Sequence, residues 1–183
     1  MRKRLLLLAI LMISTISLLP AQTRYHELGL RSGGLNNFGF IYKRSTDQQK
    51  FLRLRLLAIN TEINLRETND ADFLSAGAAV GFERRKQVSE QFYFIFGPEL
   101  QVFGLKNEMQ DRQSWNVNAR LGYLLGFNYS VSDRFIIGLE TIPGLQYRFG
   151  EDIRGQRIET LGFNLSSDAV ALTALYRFST FED

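Results

Sequence analysis

The sequence has no cysteine, only three prolines and one histidine, and no long hydrophobic run past residue 21. Without cysteine there is no disulfide framework and no N-terminal cysteine to carry a lipid. A membrane helix needs about 20 apolar residues, so beyond residue 21 any crossing of a bilayer must use strands. Glycine (15), phenylalanine (15) and tyrosine (7) far outnumber proline, a β-rich balance. The 183 residues suffice for one domain with a sizeable interior. Mean hydropathy is near neutral at −0.13.

Residues 1–21 read as a secretory signal. Arg2, Lys3 and Arg4 precede a compact apolar core from Leu5 to Leu19, and Pro20-Ala21 offers a cut before Gln22. The alternative, an uncleaved helical anchor, would need a longer apolar segment. Taking these three basic residues from the 22 Lys+Arg leaves 19, against 19 Asp+Glu, so the mature chain 22–183 is formally neutral. The basic pI of about 9.3 is therefore a mark of export and does not argue for nucleic acid.

From Trp115 to Tyr129 the chain alternates without a break. Trp115, Val117, Ala119, Leu121, Tyr123, Leu125, Phe127 and Tyr129 take one parity; Asn116, Asn118, Arg120, Gly122, Leu124, Gly126 and Asn128 take the other. Side chains of a strand point alternately to opposite faces, so one face is apolar and the other mostly polar or bare. The apolar face carries aromatics at both ends, as a strand does when it crosses a bilayer.

The same alternation predicts eight strands: Arg24–Ser32, Asn37–Arg44, Phe51–Asn60, Phe73–Arg85, Gln91–Leu105, Trp115–Tyr129, Arg134–Phe149 and a last one clearest over Ala169–Phe178. Pro143-Gly144 should bend the seventh strand or interrupt its pairing. The phase around Phe163–Asp168 is ambiguous and leaves room for a separate short strand. Links after strands two, four and six are short. Those after three, five and seven are expected as longer loops, Thr61–Asp72, Lys106–Ser114 and Gly150–Thr160. Short turns on one side and long loops on the other is the asymmetry of outer-membrane barrels, whose short turns are periplasmic.

With its signal, its strands, this asymmetry and the terminal Leu175-Tyr176-Arg177-Phe178, the mature chain resembles the small eight-stranded outer-membrane barrels, the group of the OmpA membrane domain and OmpX-like proteins. The resemblance implies an all-β, eight-stranded antiparallel up-and-down transmembrane β-barrel in the outer membrane of a Gram-negative envelope. It implies outer-membrane lipids and lipopolysaccharide as surroundings, and the barrel-assembly machinery as a partner during insertion, reading a terminal aromatic. Phe178 or Phe181 would serve as that aromatic. A monomer is expected, with no wall-binding domain after the barrel.

The inward parity carries charge. Glu99, Arg120 and Glu140 lie on consecutive strands and are expected near mid-barrel as a Glu–Arg–Glu cluster, with Arg53 and Arg55 reaching in and Arg148 on the same parity. Buried charges must pair, because desolvation costs several kcal/mol each. A plug replacing an apolar core and a gate or narrow ion path both fit; an eight-stranded interior is just filled by side chains, which favours the plug. Trp115, Tyr129, Phe149, Tyr176 and Phe178 are expected at the membrane interfaces.

Nothing points to an enzyme. Lipid A-modifying barrels use histidine with serine at the outer end, whereas His26 falls near the opposite rim, facing outward. An arginine between Glu99 and Glu140 suits an ion pair better than a general acid. The acidic stretches Glu62–Asp72 and Glu108–Asp111 match no defined calcium loop. No metal, cofactor or nucleic acid is expected. The expected role is structural or surface-interacting, with a narrow channel or transporter as the alternative. A soluble lipocalin-like barrel is the third option; it would turn its apolar face inward and leave Arg53, Arg120 and Glu140 in water.

Overall fold

The computed structural model describes residues 24–33, 38–62, 71–109, 112–164 and 170–180, without the side chains of 58–62, 71–73, 108–109, 112 and 164. The predicted signal lies outside these residues. Ten strands form one antiparallel sheet: β1 (Arg24–Ser32), β2 (Phe38–Ser45), β3 (Lys50–Glu62), β4 (Ala71–Gln87), β5 (Phe92–Met109), β6 (Arg112–Ser130), β7 (Phe135–Thr141), β8 (Gly144–Glu151), β9 (Arg157–Asn164) and β10 (Val170–Thr180). From β1 to β7 each strand pairs with its sequence neighbour, as do β8 and β9. β10 pairs with both β7 and β1, so the sheet closes.

The barrel has eight walls because β7 and β8 share one wall, as do β9 and β10. Both β7 and β8 pair with β6 in a single continuous register, from Ser130↔Ile136 to Trp115↔Glu151. The gap between them falls at Ile142-Pro143, as the proline predicts. Pro143 offers no N–H, but its carbonyl still accepts from Tyr123 N at 2.8 Å. On the last wall Thr141 faces Val170 while Gly144 faces Asn164, so three steps along one wall match six along the other. This irregularity explains the ambiguous phase in the sequence. A smaller register shift on β3 separates Leu57↔Gly77 from Asn60↔Ser75.

Two of the expected long loops are hairpins instead. The β5–β6 ladder runs on to Met109↔Arg112, replacing the loop Lys106–Ser114. The ladder of β8 and β9 runs to Glu151↔Arg157, replacing most of Gly150–Thr160. In its turn, Asp152 Oδ1 accepts from Arg154 N and Gln156 N, both at 2.8 Å. Of the third, Thr61–Asp72, both ends belong to strands, since Glu62 pairs with Phe73, and residues 63–70 lie outside the described residues. Strands beyond a bilayer face water on their outer side and lose the apolar–polar alternation. Their composition therefore reads as loop. β4, β5 and β6 have 17, 18 and 19 residues, well beyond the about 9–11 a tilted strand needs to span.

The outer face is apolar and exposed, with Phe40, Leu56, Phe82, Leu121, Leu145 and Leu172 among the residues it presents. The buried residues point inward and include many charges. This is the inside-out arrangement of a transmembrane barrel, and it rules out the lipocalin-like reading, which needs the opposite polarity.

Candidate functional site

The lumen holds one connected set of ion pairs. Arg53, on β3, is fully buried and touches three carboxylates. Its Nη1 and Nη2 donate to Glu140 Oε2 and Oε1 at 2.8 and 2.6 Å. Its Nε donates to Glu99 Oε2 at 2.9 Å, and Nη1 lies 3.2 Å from Glu83 Oε2. Arg55 donates to both oxygens of Glu99, at 3.2 and 2.5 Å. Arg31, on β1, holds Glu140 Oε1 at 2.5 Å.

Glu83 links this group to a second one nearer the short turns. Lys43 Nζ lies 2.6 Å from Glu83 Oε2, an ion pair without the angle of a good hydrogen bond. Arg85 donates to Glu83 at 2.8 Å and clamps Glu27 with two bonds of 2.8 and 2.5 Å. Arg177 completes the group, with Nε 3.0 Å from Glu27 Oε1. The Arg85 guanidinium also sits 3.9 Å over the ring of buried Phe51. Two apolar clusters, Ile41–Ile136–Leu175 and Ile95–Leu124–Ile142, fill space between the charges.

These charges come together because of strand parity and curvature. Arg53 and Arg55 share the inward parity of β3, with Leu52, Leu54 and Leu56 on the outer face. β3 and β7 stand on opposite sides of the closed sheet, so the Arg53–Glu140 pair spans the lumen. Small residues make room for the long ones. Gly81 faces Glu99 on β5, and Gly126 faces Glu140 on β7.

The expected Glu99–Arg120–Glu140 cluster forms around a different cation. Glu99 pairs with Gly122 and Glu140 with Gly126, whereas Arg120 lies opposite Gln101 and Gln146. Arg120 is two residues from the level of Glu99, whose charge it feels, but six residues, about 20 Å of strand, from the level of Glu140. Arg53 occupies the position between the two glutamates. Arg148 is exposed, and its Nε donates to Asn118 Oδ1 at 3.0 Å, away from the network. Sequence reasoning did not assign Glu27, Arg31, Lys43, Glu83, Arg85 or Arg177 to the cluster. Their inward parity was the available signal; the register that joins them was not.

The named aromatics all lie on the exposed face: Tyr129, Tyr176 and Phe178 at the short-turn end, Trp115 and Phe149 toward the long hairpins. Trp115 and Phe149 meet edge to face at 5.9 Å. His26 is outward at the short-turn rim and stacks on Phe178 at 5.2 Å. Its ring nitrogens reach Tyr42 Oη at 2.7 Å and Thr180 Oγ1 at 2.9 Å, an arrangement that staples the β1–β10 seam. Among the described residues, no group of three or more His, Asp or Glu side chains is placed to hold a metal. The side chains of Glu62, Asp72 and Glu108 lie outside the described residues.

No protein-family model and no curated protein matches the chain. Solved structures do. Ail, the attachment invasion locus protein of Yersinia pestis, aligns at 14% identity over 85% of this chain and 95% of that one, with a TM-score of 0.43. A major outer membrane protein from Thermus thermophilus aligns at 12% identity over 85% and 99%, with a TM-score of 0.48. The N-terminal β-barrel domain of Pseudomonas aeruginosa OprF aligns at 12% identity over 86% and 99%, with a TM-score of 0.45. At such identities and scores the likeness is one of fold alone, and the barrel assignment rests on this chain's own ladders.

Proposed function

We propose that this chain is a non-enzymatic barrel of the outer membrane whose lumen is closed by its ion network, and that it serves the envelope structurally and through the hairpins it displays. The observation that carries this reading is the pairing of every luminal glutamate in the network with at least two cations, across a cavity that eight strands can only just enclose. A general acid would need a carboxyl free of such partners. A wide aqueous path would need the space these side chains fill.

The long hairpins support the display role. β5 and β6 extend well past the length that spans a bilayer, and the β8–β9 turn carries exposed Arg154. The short turns would face the periplasm, and the surrounding lipids, with lipopolysaccharide on the hairpin side, would be the first partners. The barrel-assembly machinery would insert the chain as a single-chain barrel.

Because the sequence has no cysteine, labelling tests this cleanly. Arg154→Cys should react with a membrane-impermeant maleimide on intact cells, and Asp133→Cys, in a short turn, only after permeabilisation. The reverse pattern would overturn the orientation; no labelling of either site before permeabilisation would overturn display at the cell surface.

A further inference from the structure

The outward rim at the short-turn end is divided into two unlike halves. On β1–β4 its outward positions carry Arg24, Arg44, Lys50, Arg84 and Lys86. On β5, β6, β7 and β10 the equivalent positions carry Phe94, Phe127, Tyr129, Phe135 and Tyr176. The aromatic half needs no special account, since amphipathic rings settle at a membrane interface. The basic half does.

Lys50 lies directly opposite Arg84 in the β3–β4 ladder. Like charges placed opposite one another destabilise a sheet. Arg44 stands one strand over, opposite Leu52, the outward residue that follows Lys50. Lys86 extends the row by one outward step beyond Arg84. The next outward residues toward the barrel middle are Tyr42, Leu52 and Phe82, which belong to the apolar belt. One outward step is two residues, about 7 Å of strand, so the cations sit just where the apolar belt ends. The nearby turns bring Asp47 and Glu90; Asp47 accepts from Gln49 N and Lys50 N at 2.9 and 2.8 Å and its charge also attracts Lys50, so two acids stand against the five cations of this arc.

An arc of guanidinium and ammonium groups at headgroup depth, with Lys50, Arg84 and Lys86 exposed and Arg24 and Arg44 half-exposed, matches the phosphodiesters of anionic phospholipids. We propose that the β1–β4 arc binds anionic phospholipid headgroups in the leaflet on the short-turn side, giving the barrel a lopsided lipid annulus. A phosphate between Lys50 and Arg84 would convert their repulsion into two attractions. The aromatic half would take lipids without regard to charge. The proposal rests on the membrane-spanning reading above and adds to it a site and a ligand class.

The test uses the full chain folded into phosphatidylcholine vesicles, with spin-labelled phosphatidylglycerol and spin-labelled phosphatidylcholine as probes. Electrophoretic mobility with and without boiling reports, separately, whether the barrel has formed. The wild type should show the mobility shift and should prefer phosphatidylglycerol, and 0.5 M salt should weaken the preference. The Lys50→Gln/Arg84→Gln variant should lose about five-fold of that preference per cation removed, and Lys86→Gln alone should lose a smaller share. Arg154→Gln, at the other end of the barrel, should keep it. Equal association of the two lipids with a wild type that shifts on boiling would overturn the proposal alone. So would a preference lost in Arg154→Gln and kept in the double variant, which would put the lipid site at the hairpin end. A wild type that never shifts overturns the membrane reading and the proposal together.

Discussion

Arg53 on β3 and Glu140 on β7 meet across the full width of the lumen, joined by two hydrogen bonds of 2.8 and 2.6 Å. No other guanidinium among the described residues touches three glutamates. Arg53→Ala leaves Glu83, Glu99 and Glu140 each short of one partner in a place water does not freely reach. Breaking a buried pair in this way costs about 3–5 kcal/mol. Urea unfolding from vesicles should show that loss. The double variant Arg53→Ala/Glu140→Ala should be less destabilised than the sum of the two single changes, because Glu140 is no longer stranded. Additive losses would mean that the two residues do not interact.

Thr173 and Asn128 bury polar atoms that find no hydrogen-bond partner among the described residues. Both flank Gly138, which pairs with Asn128 on β6 and Thr173 on β10. An unpaired buried hydroxyl costs stability that an apolar group of the same shape does not. Thr173→Val should raise the urea midpoint, by an amount corresponding to about 1 kcal/mol. A lowered midpoint would show that the hydroxyl is satisfied after all.

Gly97 precedes Pro98 on β5 with φ at 154°, and a Cβ there would fall 1.9 Å from the carbonyl oxygen of Phe82. Gly104, on the same strand, has only the carbonyl oxygen of Ala76 at 3.9 Å near such an atom. Gly97→Ala should therefore cost more than about 2 kcal/mol or prevent folding, and Gly104→Ala should change stability by less than about 0.5 kcal/mol. Comparing the yields of the two refolded variants by boiling-dependent mobility checks the contrast.

Acid should loosen the β2–β3 turn. The Asp47 carboxyl is held below the usual aspartate range: slight desolvation opposes ionisation, and the amides of Lys50 and Gln49 with the Ser45 hydroxyl outweigh it. A carboxyl depressed in the folded state adds stability above its unfolded pKa, about 3.9, and loses it as pH falls through the lower folded value. Asp47→Asn should flatten the stability profile below about pH 4 and leave its shape above about pH 6 unchanged. A profile identical to wild type would remove the turn from the acid response.

Much of the barrel is legible in strand parity. β1 occupies the residues that alternation marks, and Pro143 interrupts its wall where a residue without an N–H must. The hairpins were hidden because strands outside a bilayer lose their apolar face while keeping their ladder. The irregular last wall was hidden because a three-residue slip scrambles phase. For the lumen, parity shows that Arg53, Arg55, Glu99 and Glu140 point inward. It does not show which of them meet, since contact across a closed sheet depends on the register of every ladder between. That is why Arg53, and not Arg120, sits between Glu99 and Glu140.

Planar-bilayer recording of the refolded wild type shows whether this network closes the lumen. The ten side chains joined in it carry six cations and four carboxylates, so any leak should favour anions. A closed lumen gives no steady conductance above the bare bilayer. Stable ohmic steps from protein whose barrel is intact by mobility would contradict it.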